Sequence, residues 1–121
     1  MLKLEGLTYA IRGAVFEVSK QLGPGFLEKV YQKALAVELQ DRGLHVEEEK
    51  PVNVYYKRRL VGDYRVDLLV ENSVIIELKA QNQLPPSAEP QLINYLRATG
   101  FEVGLLINFT YPKATIKRIV L

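Results

Sequence analysis

The chain has 121 residues, of which 48% are hydrophobic and 25% charged, and its formal net charge is +2 at pH 7. This length predicts one domain over residues 1–121, and the slight positive charge permits a nucleic-acid partner without requiring one. Because there is no cysteine and only one histidine, the sequence excludes disulfides, zinc fingers, Fe–S clusters and histidine-rich metal sites. No apolar stretch is long enough to span a membrane and the N-terminus lacks a secretory pattern, so we expect a cytoplasmic protein without membrane contact.

Two helices are predicted at the start of the chain. Apolar residues recur at helical spacing over about residues 5–21, and a Gly-Pro-Gly segment at 23–25 ends this first helix. A second helix should cover about residues 26–42, with Gly43 after its end. Glu28 lies in its first turn, where the helix dipole favours a negative charge, and taken alone it is best explained as a helix-start carboxylate.

Two strands and a basic turn should follow these helices. Residues 45–50 predict an edge strand, whose acidic run at 47–49 is best explained as a solvated surface. Residues 52–56 alternate like a second strand, and the turn after them is either simply solvated or binds phosphate groups. The three basic residues of this turn are Lys57, Arg58 and Arg59. The exposed edge at 45–50 could pair with a second copy, so a homodimer is one expected assembly.

The centre of the sequence predicts a hairpin. The apolar runs at 66–70, at the end of a strand that starts at residue 60, and at 74–78 are rich in β-branched side chains, and the short polar segment between them predicts the loop. With Val70 opposite Val74, one face of the hairpin is wholly apolar, and a shift by one residue would mix the two faces. The apolar face consists of Val66, Leu68 and Val70 on the first strand and Val74, Ile76 and Leu78 on the second.

The other face of this hairpin carries charge. The same register places Asp67 directly opposite Glu77, with Cβ atoms roughly 4.5–5.5 Å apart, and Lys79 two residues beyond on the same face. Two like charges in that position are unfavourable unless a cation lies between them or water surrounds them. A metal such as Mg²⁺, Mn²⁺ or Ca²⁺ would compensate the pair, whereas an amphipathic hairpin with a solvated face is the simpler alternative.

The last third predicts a loop at 81–88, a helix at 89–99 and two strands at 103–109 and 114–121. Gln91 and Tyr95 are four residues apart on the helix, and alone they would be a hydrogen-bonded pair between helix and sheet. The element order predicts a mixed α/β (α+β) fold, with two N-terminal helices, one crossover helix and a central mixed sheet. The crossover can place the last strands parallel to the second hairpin strand.

Three motifs follow one another along the chain, and these are Asp67, the ELK run at 77–79 and the helix at 91–95. In the order of these motifs the chain resembles the PD-(D/E)xK, or restriction-endonuclease-like, nuclease superfamily. The Gln-xxx-Tyr helix resembles its RecB-like branch. Residues 25–31, GFLEKVY, are similar to the motif that names the GxxExxY family. A lone D…ExK pattern is common by chance, but four elements in order over about residues 11–120 are specific.

The sequence departs from that pattern at two positions. Val66 stands where the superfamily has a proline before the aspartate, a position that often varies. Glu89 and Pro90 stand where the GxxExxY family often has a histidine, so any contact from that histidine is missing or altered. The absence of cysteine also excludes the Fe–S cluster of some RecB-like exonucleases.

The resemblance implies a restriction-endonuclease-like core and hydrolysis of a phosphodiester in DNA or RNA by in-line attack of water. It implies that Asp67 and Glu77, with the backbone carbonyl of Leu78, hold one or two Mg²⁺ or Mn²⁺ ions. Glu28 would supply another ligand or hold a water molecule. No nucleotide cofactor is expected, because no glycine-rich phosphate loop follows a strand.

The same resemblance implies that Lys79 orients or deprotonates the attacking water and offsets negative charge on the phosphate. Gln91 and Tyr95 would position Lys79, the water or a phosphate by hydrogen bonds. Weaker candidates for phosphate contacts are Arg65, Lys57, Arg58 and Arg59. Besides an active nuclease, the sequence permits a catalytically weak nucleic-acid-binding or regulatory module, or a protein–protein adaptor with a vestigial site. The intact acidic residues and Lys79 argue against the adaptor.

Overall fold

A computed structural model describes residues 4–121 of the chain. Its elements are α1 (Glu5–Leu22), α2 (Glu28–Asp41), β1 (Val46–Tyr56), β2 (Arg59–Val70), β3 (Val74–Lys79), α3 (Ala88–Thr99), β4 (Val103–Asn108) and β5 (Thr115–Val120). This order confirms the predicted mixed fold. Residues 1–3, which the single-domain and N-terminal expectations include, lie outside the described part. Within residues 4–121, no helix is both long and apolar enough to cross a membrane.

The first strand differs from its prediction. Residues 45–50 and 52–56 were expected as two strands, but they form the single strand β1, which continues through Pro51. β1 lies at the edge of the sheet, where the missing N–H of a proline can be tolerated on the open side. The whole of β1 therefore pairs with β2, and the two strands form one long hairpin.

The five strands form one mixed sheet in the order β1-β2-β3-β4-β5. β1 pairs with β2 and β2 pairs with β3 in antiparallel directions, and α3 carries the chain across to β4, which runs parallel to β3. The parallel direction of β4 is confirmed, but the expectation that both last strands run parallel to β3 is wrong. β5 is antiparallel to β4, because the connection between them is too short for a parallel crossover.

The helices cover both faces of the sheet and create two cores. α1 and α2 cover one face, and α3 covers the other. The first core includes Ile11, Leu35, Leu39, Leu68, Ile76, Leu78 and Leu105. The second core includes Val66, Leu69, Ile75, Leu92, Leu96 and Leu106. Every residue of β4 is buried, which confirms the expectation of a strand buried on both faces.

The register of the central hairpin is confirmed, since Val70 pairs with Val74. One assignment to its apolar face is wrong, however, because Val66 lies in the second core with Leu69 rather than beside Leu68 in the first. The alternation of side chains changes at the neighbouring pair Glu49 and Asp67, which the β1–β2 ladder omits. Glu49 has a left-handed backbone with φ 53°, which interrupts the regular extended geometry of β1. The side chains on either side of this position therefore no longer follow one alternation between the two faces of the sheet.

Candidate functional site

The two central carboxylates lie where regular pairing between β2 and β3 stops. The last backbone pair is Leu68 with Ile76. Beyond it, the N–H of Asp67 donates to Oε1 of Glu77 at 3.0 Å, and the N–H of Leu78 donates to Oδ2 of Asp67 at 2.7 Å. Each carboxylate thus satisfies a backbone donor of the facing strand, and these bonds hold the two side chains together.

Burial makes both carboxylates easier to protonate. Glu77 is only 7% exposed, and burial, followed by the charge of Asp67, raises the pKa of Glu77 to about 8. Burial also raises the pKa of Asp67 to about 6, although the N–H of Leu78 opposes this rise. Two partly desolvated carboxylates on facing strands are an arrangement that a bound cation would stabilise, because it would compensate both negative charges.

Lys79 ends β3 on the same face as Glu77. The structure describes no ion pair within 4 Å between Lys79 and any acidic side chain of residues 4–121, yet the charge of Lys79 lowers the pKa of both Asp67 and Glu77. Its backbone carbonyl accepts the N–H of Phe109 at 2.8 Å. The main chain of Lys79 is therefore fixed while its ammonium group stays available for a substrate or water.

The buried amide of Asn108 holds the loop that follows Lys79. Its Oδ1 accepts the N–H of Gln81 at 3.0 Å, and its Nδ2 donates to the Gln81 carbonyl at 2.8 Å. Asn108 also pairs with Lys79 across the β3–β4 ladder. One side chain on β4 therefore fixes both backbone polar groups of Gln81, two residues after the end of β3.

The start of α2 brings Glu28 near this site. The charge of Glu28 raises the pKa of both Asp67 and Glu77. The loop before it is held by the fully buried Tyr31, whose hydroxyl donates to the Gly23 carbonyl at 2.6 Å and accepts the N–H of Phe26 at 3.2 Å. Tyr31 therefore has a structural role, which is to fix the segment that presents Glu28.

The residues at the centre fit a hard divalent cation only in part. Asp67 and Glu77 each use one oxygen for a backbone N–H, which leaves the second oxygen of each for a ligand. Within residues 4–121, however, no group of three or more acidic or histidine side chains is close enough to hold a metal. In this conformation Asp67 and Glu77 are linked to each other's strand, and the ligand role of Glu28 stays a prediction.

α3 contributes the remaining two residues of the predicted site. Tyr95 is buried, and burial, together with the charges of Glu77 and Asp67, raises the pKa of its phenol. The side chain of Gln91 lowers that pKa through a hydrogen bond. The phenol of Tyr95 is thus near the carboxylates, and Gln91 is next to the phenol.

The predicted phosphate contacts lie farther away. Lys57 and Arg58 form the two-residue turn between β1 and β2, both with positive φ, as a type I′ turn requires. Arg59 is eight residues from Asp67 along β2, about 26 Å at the rise of an extended strand. Arg65 is closer in sequence, and it donates to the Glu49 carbonyl at 3.3 Å. The structure does not bring the basic turn to the carboxylates along this strand.

Sequence reasoning missed the involvement of Glu49, which it assigned to a solvated edge. Its charge raises the pKa of Asp67, and its carboxylate forms an ion pair with Lys29. The hydrogen bond with Glu49 raises the pKa of Lys29 in turn. The only signal that could have found Glu49 is the β1–β2 register, which places it opposite Asp67.

Comparison with known proteins agrees with this architecture. The model of the PD-(D/E)XK nuclease superfamily matches residues 5–119. No curated protein sequence matches the chain. The fold is similar to the crystal structure of SSO0001, with a TM-score of 0.60 and 20% identity, over 94% of this chain and 60% of that one. It is also similar to an alkaline exonuclease, LHK-Exo, from Laribacter hongkongensis, with a TM-score of 0.56 and 13% identity, over 99% of this chain and 72% of that one.

These two likenesses, at low identity, establish the fold, and the chain spans only 60% of the length of SSO0001. The family match shows membership as well as fold, because it extends from the start of α1 almost to the end of β5. It therefore includes the interrupted hairpin, the loop held by Tyr31 and the helix with Tyr95. The chain belongs to the PD-(D/E)XK nuclease superfamily.

Proposed function

We propose that this chain is a metal-dependent phosphodiesterase that hydrolyses DNA or RNA. The observation that carries the proposal is the reciprocal bonding across the interrupted hairpin, where the carboxylates of Asp67 and Glu77 each accept a backbone N–H of the facing strand. Both carboxyl groups have a raised pKa, and Lys79 is beside them without an ion-pair partner among the described residues. Membership of a nuclease superfamily supports the same chemistry.

Asp67 and Glu77, with the Leu78 carbonyl, would hold Mg²⁺ or Mn²⁺, and Glu28 would supply a further ligand or hold water. Such an ion, when held there, would supply Lewis-acid chemistry that makes water more acidic and compensates negative charge on the phosphate. The protein's own contribution is to hold the two carboxylates in register, through their bonds to the backbone of the facing strand. Their burial strengthens their attraction for a cation.

Lys79 would orient or deprotonate the attacking water and offset the charge that develops on the phosphate. The hydrogen bond between Gln91 and Tyr95 would hold the phenol in place to position Lys79, the water or a phosphate. Arg65 would contact a phosphate close to the site. Lys57, Arg58 and Arg59 at the far turn would act only on a longer substrate.

We also propose finer assignments. Within the superfamily, the chain would belong to the GxxExxY family, which the loop held by Tyr31 and the approach of Glu28 support. The contact of Gln91 with Tyr95 supports a place in the RecB-like branch. Residues 1–121 would form one nuclease domain that acts in the cytoplasm. The open edge of β1 would pair two copies into a homodimer.

A second function has one observation in its favour. No three acidic side chains meet within the described residues, so the domain would bind nucleic acid but cleave it weakly, as a regulatory module. The two functions differ in whether cleavage, and not only binding, depends on the ion and on Lys79.

A cleavage assay distinguishes the two functions. Labelled single-stranded and duplex DNA and RNA are incubated with the protein in Mn²⁺, Mg²⁺ or EDTA. We expect wild-type cleavage to require the metal, to vanish in Lys79→Ala and to persist in Lys20→Ala, which removes an exposed lysine from α1. Binding without cleavage by the wild type would favour the second function. Equal cleavage by wild type and Lys79→Ala would contradict the proposed mechanism.

A further inference from the structure

A groove of about 720 Å³ lies between α3 and the outer part of the β1–β2 hairpin. Val54, Val61 and Tyr64 line it from the hairpin, and Gln91, Asn94 and Tyr95 line it from α3. We propose that this groove, called here the α3 groove, binds one unpaired nucleobase next to the phosphate that is cleaved. The inference rests on the proposed function and specifies its substrate as a single-stranded segment.

The α3 groove is continuous with the candidate site through shared residues. Tyr95 and Gln91 line the groove, and the charges of Glu77 and Asp67 also act on the phenol of Tyr95. A phosphate held at the carboxylates would therefore have its neighbouring nucleotide at the mouth of the groove. This continuity identifies the occupant as part of the substrate rather than as a separate ligand.

The lining of the α3 groove has the chemistry that a nucleobase needs. The rings of Tyr64 and Tyr95 have centroids 5.8 Å apart and are tilted by 49°, and Tyr64 is 48% exposed, so its ring is accessible to a stacked base. Val54 and Val61 extend the apolar wall. The exposed amide of Asn94 can both donate and accept, as recognition of a base edge requires.

An unpaired base fits this surface better than a duplex does. In a duplex, both faces of a base are stacked on its neighbours and its pairing edge is occupied, so neither the ring of Tyr64 nor the amide of Asn94 could reach it. The volume of the groove also lies within the usual range for a small-molecule site, which suits one nucleotide. Arg97 lines the groove too, and its guanidinium would contact a phosphate of the same strand.

Gly62 keeps the α3 groove open. A Cβ at position 62 would lie 2.8 Å from Cε2 of Tyr64 and 3.3 Å from Cβ of Val54. The Tyr64 ring can take its position over β2 only because residue 62 has no side chain. Gly62→Ala would displace that ring without touching the carboxylates, so it tests the groove alone.

The test uses labelled single-stranded oligonucleotides with one abasic site, moved stepwise past the cleaved bond. For the wild type we expect one position of the abasic site to raise KM about tenfold, the effect of losing one stacked base. Tyr64→Ala should abolish this sensitivity, because its KM is already raised on the intact strand, whereas Tyr64→Phe should retain it. Gly62→Ala should raise KM and leave kcat near the wild-type value. Tyr9→Ala, which removes an exposed tyrosine from α1, is the matched control.

The outcomes separate this inference from the proposed function. If cleavage occurs but no abasic position changes KM, or if Tyr64→Ala behaves like Tyr9→Ala, the groove proposal is overturned and the nuclease remains. If nothing is cleaved, fluorescence anisotropy in Ca²⁺ compares an intact strand with a fully abasic one. Tighter binding of the intact strand that is lost in Tyr64→Ala supports the groove without the nuclease. Equal binding of the two strands overturns both.

Discussion

The two edges of β3 differ sharply. Along the β4 edge, parallel pairing continues from Val74 to Lys79 without interruption. Along the β2 edge, pairing covers three residues and ends at Ile76, after which the side chains of Asp67 and Glu77 take over the backbone donors. One strand is thus a regular structural element on one side and the support of the chemistry on the other.

This difference explains how the two acidic side chains can be buried and still be held in one orientation. A backbone N–H left without a strand partner requires an acceptor, and a carboxylate is a strong one. Each carboxylate is therefore fixed by one oxygen, while its other oxygen is left for a cation. If the β2–β3 ladder continued past Leu68, backbone carbonyls would take these donors, and nothing would orient the carboxylates.

The largest expected effect comes from removing charge on the β2 edge. Glu77→Gln keeps an oxygen that can accept the Asp67 N–H but removes the negative charge that would bind the metal. We expect kcat in Mn²⁺ to fall at least about a hundredfold. The folded structure should persist by circular dichroism, and Glu5→Gln, an exposed glutamate of α1, should behave like the wild type. Full activity in Glu77→Gln would mean that the metal lies elsewhere.

The next effect is a dependence of stability on pH. In the metal-free protein, burial raises the pKa of Glu77 from 4.5 to about 8 and that of Asp67 from 3.8 to about 6, so the folded chain binds more protons than the unfolded chain between these values. The free energy of unfolding should therefore fall as the pH rises from about 4 to about 8.

Thermal unfolding in EDTA measures this fall. We expect Tm of the wild type to decrease across that range by more than Tm of Glu77→Gln, with a difference of a few kcal/mol in the free energy of unfolding. Added Mn²⁺ should restore the wild type at high pH and not the variant. Parallel Tm curves for the two proteins in EDTA would show that Glu77 ionises normally.

A substitution on the β4 edge of β3 is expected to lower activity less than Glu77→Gln does. Asn108→Ala removes both hydrogen bonds to the Gln81 backbone, and leaving those groups unsatisfied should cost about 1–3 kcal/mol by urea unfolding. Its kcat should fall less than that of Glu77→Gln, because Asn108 acts only through the turn after Lys79. Asn108→Asp keeps the acceptor for the Gln81 N–H but places a second acceptor and a buried negative charge against the Gln81 carbonyl, so it should lose at least as much stability as Asn108→Ala. A kcat loss in Asn108→Ala as large as in Glu77→Gln would remove the distinction between the two edges.

The smallest effect concerns the backbone at Glu49. Its left-handed φ of 53° is accessible to glycine but costs a β-branched residue about 1–2 kcal/mol. Glu49→Val should therefore be less stable than Glu49→Gly by that amount, although both lose the exposed ion pair with Lys29, which contributes little. Urea unfolding compares the two variants directly. Equal stability would mean that the strands do not need this turn beside Asp67.

The sequence allowed much of the fold to be predicted, because periodicity is a local property. Helical spacing located α1 and α2, and the apolar face of the hairpin located its register, including the pair Val70 and Val74. The crossover α3 followed from the loop before it and Gly100 after it. These features depend on residues close together in the chain.

What could not be predicted depends on contacts between distant segments. The change of face at Val66 arises from the backbone of Glu49, which is seventeen residues earlier and is held by Lys29 on α2. The α3 groove combines a strand with a helix that is about thirty residues later. The local pattern of one element contains no information about its contacts with a distant element. The sequence therefore indicated the chemical groups of the site but not the surface that surrounds those groups.

The stacked rings of Tyr31 and Phe109, whose centroids are 4.5 Å apart at an interplanar angle of 3°, join the start of α2 to the end of β4. Positions 31 and 109 are therefore under one shared steric constraint. Among homologous chains, we expect these two positions to covary: where one is not aromatic, the other should change in size to compensate. The acid at position 28 should then persist only in lineages where that pair still packs.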